Sequence, residues 1–333
     1  MLAKIEWNRR HFMGATAAAA LGTSAFSVRA AEPPPETTRI RFQDAPVACF
    51  APIFVAKPLL EAEGFTDVQY VKTPVEPGPS GPLASGLIDF AQDDVTAYLQ
   101  QLDRQAPIVV LAGVHTGCWE LMAQTSIRSV RELKGKTVAA TRGNSRYAFV
   151  SAMVASVGLD PRRDIAWVDH SDNTVREFEQ GKLDAMLGFV PEPQVLRSKK
   201  IGHVLINTLT DRPWSQYFCC LIAGNREFVR KHPVATRRAL RALMKAADLC
   251  VTQPEAAARL MVERGVNQGY EFVLQAVRES GYRHWRDYEA GDTMRFWSLR
   301  LREAALIKAD PKKLLAQGTD WRFIEQIKRE LKT

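Results

Sequence analysis

Residues 211–225 read DRPWSQYFCCLIAGN, and their pattern decides the fold. Residues 217–223 form an unbroken apolar run between Pro213 and Gly224-Asn225, which predicts a strand buried on both faces. Trp214, Ser215, Gln216 and Tyr217 stand just before that strand. An aromatic pair interleaved with polar side chains suits a small molecule that is part flat and part hydrogen-bonding. The competing assignment makes both aromatics core. The strand is expected to carry the chain back from a second lobe into a first, so that hinge and ligand cleft meet here.

On the N-terminal side of this run the chain repeats strand, helix, strand. Residues 39–43, 68–71, 88–91 and 108–114 read as strands, with helices between them at 52–63 and 95–102. Crossovers of that kind build parallel sheets covered by helices. Asp93 or Asp94 is expected to cap the second of these helices. Residues 120–125 are expected to cross out of the first lobe. Residues 137–140, 165–168, 185–189 and 204–206 then repeat the grammar in a second lobe. Beyond Asn225 the rest reads as helical, with Pro254 and Pro311 in first turns and Asp292 and Asp310 as caps. Leu240, Leu243, Ala247 and Cys250 make one apolar stripe.

At 333 residues, 46% hydrophobic and 25% charged, the chain is long enough for two lobes, each with its own core. The apolar segment 13–28 is shorter than the roughly 20 residues a bilayer helix needs. Preceded by Arg9-Arg10 and Phe12 and followed by Ala30-Ala31, it reads as a twin-arginine export signal over residues 1–31, cleaved near Ala30 or Ala31. Its removal leaves 41 basic against 36 acidic residues, a net charge of +5. The basic residues are scattered, without an aromatic-interleaved stripe, and nucleic-acid binding is not expected.

The five cysteines, Cys49, Cys118, Cys219, Cys220 and Cys250, show no C-x-x-C spacing and no histidine at metal spacing. No metal and no cofactor are expected. Neighbours on a strand point to opposite faces, so Cys219 and Cys220 are not expected to share a site. The cysteines read as buried small hydrophobes, with Cys49 and Cys118 the one pair placed to meet as a disulfide across a cleft wall.

Two open α/β lobes place their ligand beyond the carboxyl ends of their strands. The residues expected there include Asp44, Ala45, Asp93, Asp94 and His115 from the first lobe. Arg142, Gly143, Asn144, Ser145 and Glu192 come from the second. The turn 142–145 carries the sharpest signal, because a glycine turn capped by Asn or Ser and entering a helix leaves backbone N–H groups free for an anion. No Lys-Ser/Thr follows the glycine, so a nucleotide phosphate loop is absent. The acids pull the other way, toward a ligand with a cationic or N–H edge.

RIRFQDAPVACFAPIFVA from Arg39, LASGLIDFA from Leu83, IVVLAGV from Ile108, LKGKTVA from Leu133, TVREFEQGKLDAML from Thr174 and PWSQYFCCLIAGNREFVRKHP from Pro213 form a set. Together they resemble the periplasmic solute-binding proteins of nitrate/sulfonate/taurine-type ABC importers. That superfamily includes the thiamine-pyrimidine precursor binders and the related precursor synthase. The likeness spans residues 39–249. It implies an α/β, two-lobed periplasmic-binding-protein fold, two doubly wound lobes joined by two crossing segments near 124–128 and 219–225. The lobes would comprise residues 32–126 plus 225–333, and 127–224.

Carried over by position, the resemblance assigns ligand contacts to Asp44, Ala45, Asp93, Asp94, the turn Arg142-Gly143-Asn144-Ser145, Trp214 and Tyr217. It implies a monomer that hands a small sulfonate- or taurine-like or aminopyrimidine-like solute to a permease and its ATPase. No catalysis is expected. The cleft carboxylates depart from what a simple sulfonate site wants. The alternatives are a sensor module for a membrane receptor and a precursor-synthase-like enzyme. This chain offers only Phe218-Cys219-Cys220 against the synthase's cysteine cluster.

Overall fold

Two five-stranded sheets of one plan organise the computed structural model, which describes residues 32–332. The expected export signal over residues 1–31 lies outside the described residues. The strands are β1 (Arg39–Asp44), β2 (Asp67–Lys72), β3 (Phe90–Asp94), β4 (Ile108–His115), β5 (Trp119–Ala123), β6 (Thr137–Ala139), β7 (Ala166–Val168), β8 (Ala185–Phe189), β9 (His203–Asn207) and β10 (Cys220–Asn225). The first sheet has the order β2-β1-β3-β10-β4 and the second β7-β6-β8-β5-β9. In the first, β1 runs parallel to β2 and β3, while β10 is antiparallel to both β3 and β4. In the second, β6 runs parallel to β7 and β8, and β5 is antiparallel to β8 and β9. Each sheet therefore receives, as its antiparallel member, the strand the chain forms on arriving from the other.

The apolar run that decided the fold becomes β10, and it is buried as expected: Cys220, Leu221, Ile222 and Ala223 are inaccessible to solvent. The strand starts three residues later than the run does, because Trp214–Gln216 forms a 3-10 turn and Tyr217 follows it in extended backbone. Phe218 lies across Gly113 of β4, where a Cβ would meet its ring at 2.2 Å. Only a glycine admits that ring. The stripe Leu240, Leu243, Ala247 and Cys250 faces inward from the helix Pro233–Thr252. Burying a leucine or isoleucine of this kind contributes about 1.5–3 kcal/mol.

Several expectations are corrected. The first crossing lies at residues 116–118, not near 124–128, since Trp119–Ala123 is already a strand of the second sheet, bonded on both sides by β8 and β9. Its five residues are all buried and carry Glu120, so no alternation marks them. The return crossing spans residues 208–219 rather than 219–225, and the sheet boundaries move with it. Asp93 and Asp94 end β3 instead of forming a turn. Residues 52–63 fold as two short helices, Ala51–Val55 and Lys57–Ala62. Asp310 caps its helix through Lys312 and Lys313 N–H, whereas Asp292 sits inside a helix.

The two crossings are fastened together by a disulfide between Cys118 and Cys219. The reading of the cysteines as buried small hydrophobes holds for Cys49, Cys220 and Cys250, whereas Cys118 pairs with Cys219 rather than with Cys49, because the second crossing brings Cys219 alongside the first. The helix Ala290–Glu303 closes the same region: Trp297 meets Phe149 of the helix Ser145–Ser156 at 4.6 Å and Trp214 at 5.4 Å. Among the described residues no helix is long and apolar enough to cross a membrane.

Candidate ligand-binding site

At the carboxyl end of β3 two adjacent carboxylates are buried. Asp94 accepts the N–H groups of Thr96 at 2.8 Å and Ala97 at 3.0 Å, and so caps the helix Val95–Asp103. Its other oxygen accepts a short hydrogen bond from the hydroxyl of Ser145, on the facing lobe. Asp93 accepts the N–H of Ser80 at 3.0 Å and that of Asp94 at 2.9 Å. Gly78, at φ +96°, lets the loop after β2 pass over Asp93, where a Cβ would stand 2.8 Å from a carboxylate oxygen. Burial, with Asp94 beside it, pushes the Asp93 carboxyl well above its ordinary range. Burial also raises Asp94, against the hydrogen bonds from Ser145 and Thr96.

The opposite lip is the start of the helix Ser145–Ser156. Asn144 caps it by accepting Tyr147 N–H at 3.0 Å, and its side-chain amide donates across the cleft to Glu76 at 3.0 Å. Arg146, only 4% exposed, donates from Nε to the other Glu76 oxygen at 2.6 Å. Its two terminal nitrogens donate to Glu192 at 3.0 and 3.2 Å, and one also donates to the Leu187 carbonyl. Glu192 is itself fixed by Phe189 N–H at 2.8 Å. Arg146 is thus a buried cation held by one carboxylate from each lobe.

Between the lips lies a narrow cavity of about 20 Å3 whose walls include Phe50, Glu76, Asp93, Asn144, Ser145 and Cys220. Trp119 and Phe189 also line it and stack with centroids 4.3 Å apart. Aromatic faces and buried carboxylates thus line a space that, with the lobes as they stand, holds about one water. Roomier hollows of about 380 and 650 Å3 lie elsewhere, one around Arg39 and Lys231 and the other around Arg278 and His284. The first gathers the opposite strand ends, Arg39 of β1 and Asn225 of the antiparallel β10. Neither hollow draws on the strand ends of both sheets, where open α/β folds bind ligands.

The sequence-derived candidates divide. Asp93, Asp94, Asn144 and Ser145 come together at the cavity, and Glu192 stands behind it through Arg146. Asp44 instead sits 3.9 Å from Arg264, and Ala45 is buried. Gly143 is exposed, and the exposed Arg142 folds back on its own helix, donating to the Tyr147 hydroxyl at 3.1 Å. Trp214 packs against Trp297 and Phe296, while Tyr217 stacks on Phe296 at 3.9 Å, which places both in the core assignment that competed with ligand contact. His115 is buried, its Nδ1 facing the carbonyls of Thr116 and Gly117 and its ring edge-on to Tyr282.

Sequence reasoning missed Glu76, Arg146, Trp119, Phe189 and Phe50. A signal existed for Glu76, which lies in the loop beyond the carboxyl end of β2, and for Arg146, two residues past the cap. The aromatics carried none, because buried aromatics, Trp119 and Phe189 on strands and Phe50 in a 3-10 turn, are usually core.

Cys219 and Cys220 do share a site, contrary to expectation, because Cys219 precedes the strand and escapes its alternation; their sulfurs are 3.9 Å apart. The sulfurs of Cys49, Cys118 and Cys220 lie within 4.8 Å of one another, near enough to hold a soft metal if all three were thiols. With Cys118 committed to the disulfide two thiols remain, short of a thiolate site of three or four ligands.

Fold and cleft together define a two-lobed α/β protein of the periplasmic-binding-protein type. Residues 47–257 match the family described as NMT1/THI5 like, and the chain belongs to that family. Comparison with curated protein sequences gives no match. The fold is similar to that of the periplasmic nitrate-binding protein NrtA from Synechocystis PCC 6803, at TM-score 0.76 and 16% identity over 90% of each chain. It is similar also to the alkanesulfonate-binding protein SsuA from Xanthomonas axonopodis pv. citri, bound to MOPS, at TM-score 0.67 and 17% identity over 86% of this chain and 99% of that one. A Candida albicans gene product with the generic periplasmic binding protein fold, CA3427, aligns at TM-score 0.67 and 12% identity over 85% and 96%.

Proposed function

We propose that this protein is the exported, substrate-binding component of an ABC importer. It captures a small planar solute with cationic or N–H-donating edges, of the amino-heteroaromatic kind, by closing two lobes on it. One observation carries the choice of ligand: the cavity lined by Phe50, Trp119 and Phe189 is edged by Asp93, Asp94 and Glu76, while the donors on its far lip are already bonded to protein carboxylates. A sulfonate or nitrate would meet carboxylates there and few free donors. The importer role rests on family membership and on the nitrate- and sulfonate-binding proteins that share the fold.

Admission of the solute requires the Asp94–Ser145 and Glu76–Arg146 bridges to part, and closure re-forms them around it. Contacts made only in the closed state supply the differential affinity that shifts such an equilibrium. The loaded protein would then hand its cargo to a membrane permease driven by an ATPase.

The test is a thermal-shift panel of aminopyrimidines, taurine, aliphatic sulfonates, nitrate and aromatic carboxylates. A ligand at 100 times its dissociation constant stabilises the folded state by about 2.7 kcal/mol. Aminopyrimidines should raise the melting temperature and simple anions should not. A panel in which only the anions act would defeat the ligand assignment.

A further inference from the structure

The helix start that the sequence marks as an anion receptor already holds an anion, and it belongs to the protein. Both oxygens of Glu76 are engaged, one by the Asn144 amide at 3.0 Å and one by Arg146 Nε at 2.6 Å. A carboxylate gripped by a guanidinium and an amide in parallel is what a bound carboxylate or sulfonate would be in the same place. Glu192 completes the guanidinium's pairing from its own lobe, so the group Arg146, Glu76 and Glu192 carries one positive and two negative charges. Glu76 alone of the three reaches across the cleft, from a loop opened by Gly78. Its side chain is 34% exposed, against 4% for Arg146, so the anion is the removable partner and the cation the fixed one.

We infer that Glu76 sets the charge specificity of the cleft: it is a tethered carboxylate that occupies the donors of Asn144 and Arg146 and so excludes free anions. The inference builds on the reading of the cleft as a solute site. Without Glu76, Arg146 keeps Glu192 but loses its cross-cleft partner, and Nε and the Asn144 amide face the cleft unpaired. Leaving a buried cation short of a partner is unfavourable, and a small anion relieves it.

Isothermal titration calorimetry with nitrate, methanesulfonate and benzoate would test this on the wild-type protein, Glu76→Ala and Glu76→Gln, each first shown to unfold cooperatively. The expected result is weak or absent anion binding by the wild type and at least tenfold tighter binding of one anion per chain by Glu76→Ala, weakening with salt. Glu76→Gln keeps a side chain in place and should gain less. If both variants bind anions no better than the wild type, or if Glu76→Ala loses anion affinity that the wild type has, the inference is wrong. Should Glu76→Ala prove misfolded, the folded Glu76→Gln decides alone, and unchanged affinity there overturns it. A parallel titration with an aminopyrimidine separates the two readings. Wild-type binding without anion gain in the variants keeps the proposed ligand and removes this role for Glu76, and the reverse pattern does the opposite.

Discussion

Glu120 enters the interior on β5 with one oxygen lacking any hydrogen-bond partner and the other 3.5 Å from Arg197. Arg197 is shared, donating to Glu279 at 2.6 Å. Burial therefore dominates and raises the Glu120 carboxyl to about 7, Arg197 opposing it and Glu279 reinforcing it. The sign follows from linkage: between pH 4.5 and 7 the unfolded chain has lost the proton that the native state keeps, so native stability falls as pH rises through that window. A shift of this size corresponds to about 3 kcal/mol at most. Denaturant unfolding at pH 5 and pH 8 should show the wild type less stable at the higher pH, and Glu120→Gln should shrink the difference. Asp93 and Asp94, raised for the same reason, leave a residual slope. An unchanged pH difference in Glu120→Gln would mean that Glu120 ionises freely in the fold.

At this scale the sequence was legible where a residue's role is local. Asp94 and Asn144 were readable because capping depends on the next three residues. Arg142 is the arginine the turn itself offers, and Arg146 is not legible as a site residue from the turn alone. The helix geometry sends Arg142 out to Tyr147 and Arg146 under the lip. Trp214 and Tyr217 could be placed only once the helix Ala290–Glu303, some 80 residues downstream in sequence, was seen to cover them.

Among the elements, β10 joins the halves of the first sheet, and its seating depends on one glycine. Phe218 fills the space over Gly113, and its own N–H is held at 3.0 Å by the Thr293 hydroxyl, so the ring has little freedom to retreat. Gly113→Ala should therefore destabilise the protein by about 1–3 kcal/mol, the usual range for overpacking. Phe218→Leu in the same chain should restore part of that loss, because the two side chains compete for one space. Urea unfolding of the single and double variants measures it. Strict additivity would show that the ring and the new methyl do not meet. Nine of the ten strands were legible in outline from apolar runs and glycine stops. β5 was not, because a five-residue strand interrupted by Glu120 declares itself only through its neighbours β8 and β9.

Across residues 34–332 the two sheets are interlocked by exchange: the early chain supplies β5 to the second sheet and the late chain supplies β10 to the first. Each exchanged strand sits between two others, so removing it would leave a gap inside a sheet, with unpaired N–H and C=O groups on both sides of the gap. The Cys118–Cys219 disulfide closes a loop with a sequence separation of 101, a constraint that by chain entropy is worth about 4 to 5 kcal/mol in the unfolded state. The helix Ala290–Glu303 adds aromatic contacts to the same junction. Neither lobe owns a complete sheet without the other's stretch of chain. Calorimetry should accordingly give one unfolding transition, its van't Hoff and calorimetric enthalpies equal. Reduction of the disulfide should lower the melting temperature of that single transition without splitting it. A fragment ending at Asn207 keeps every strand except β10 and should fail to fold, exposing the facing edges of β3 and β4. Two resolved transitions in the intact protein, or a folded, monomeric fragment, would show instead that the second sheet and its helices stand alone and that β10 is an addition to an otherwise stable first lobe.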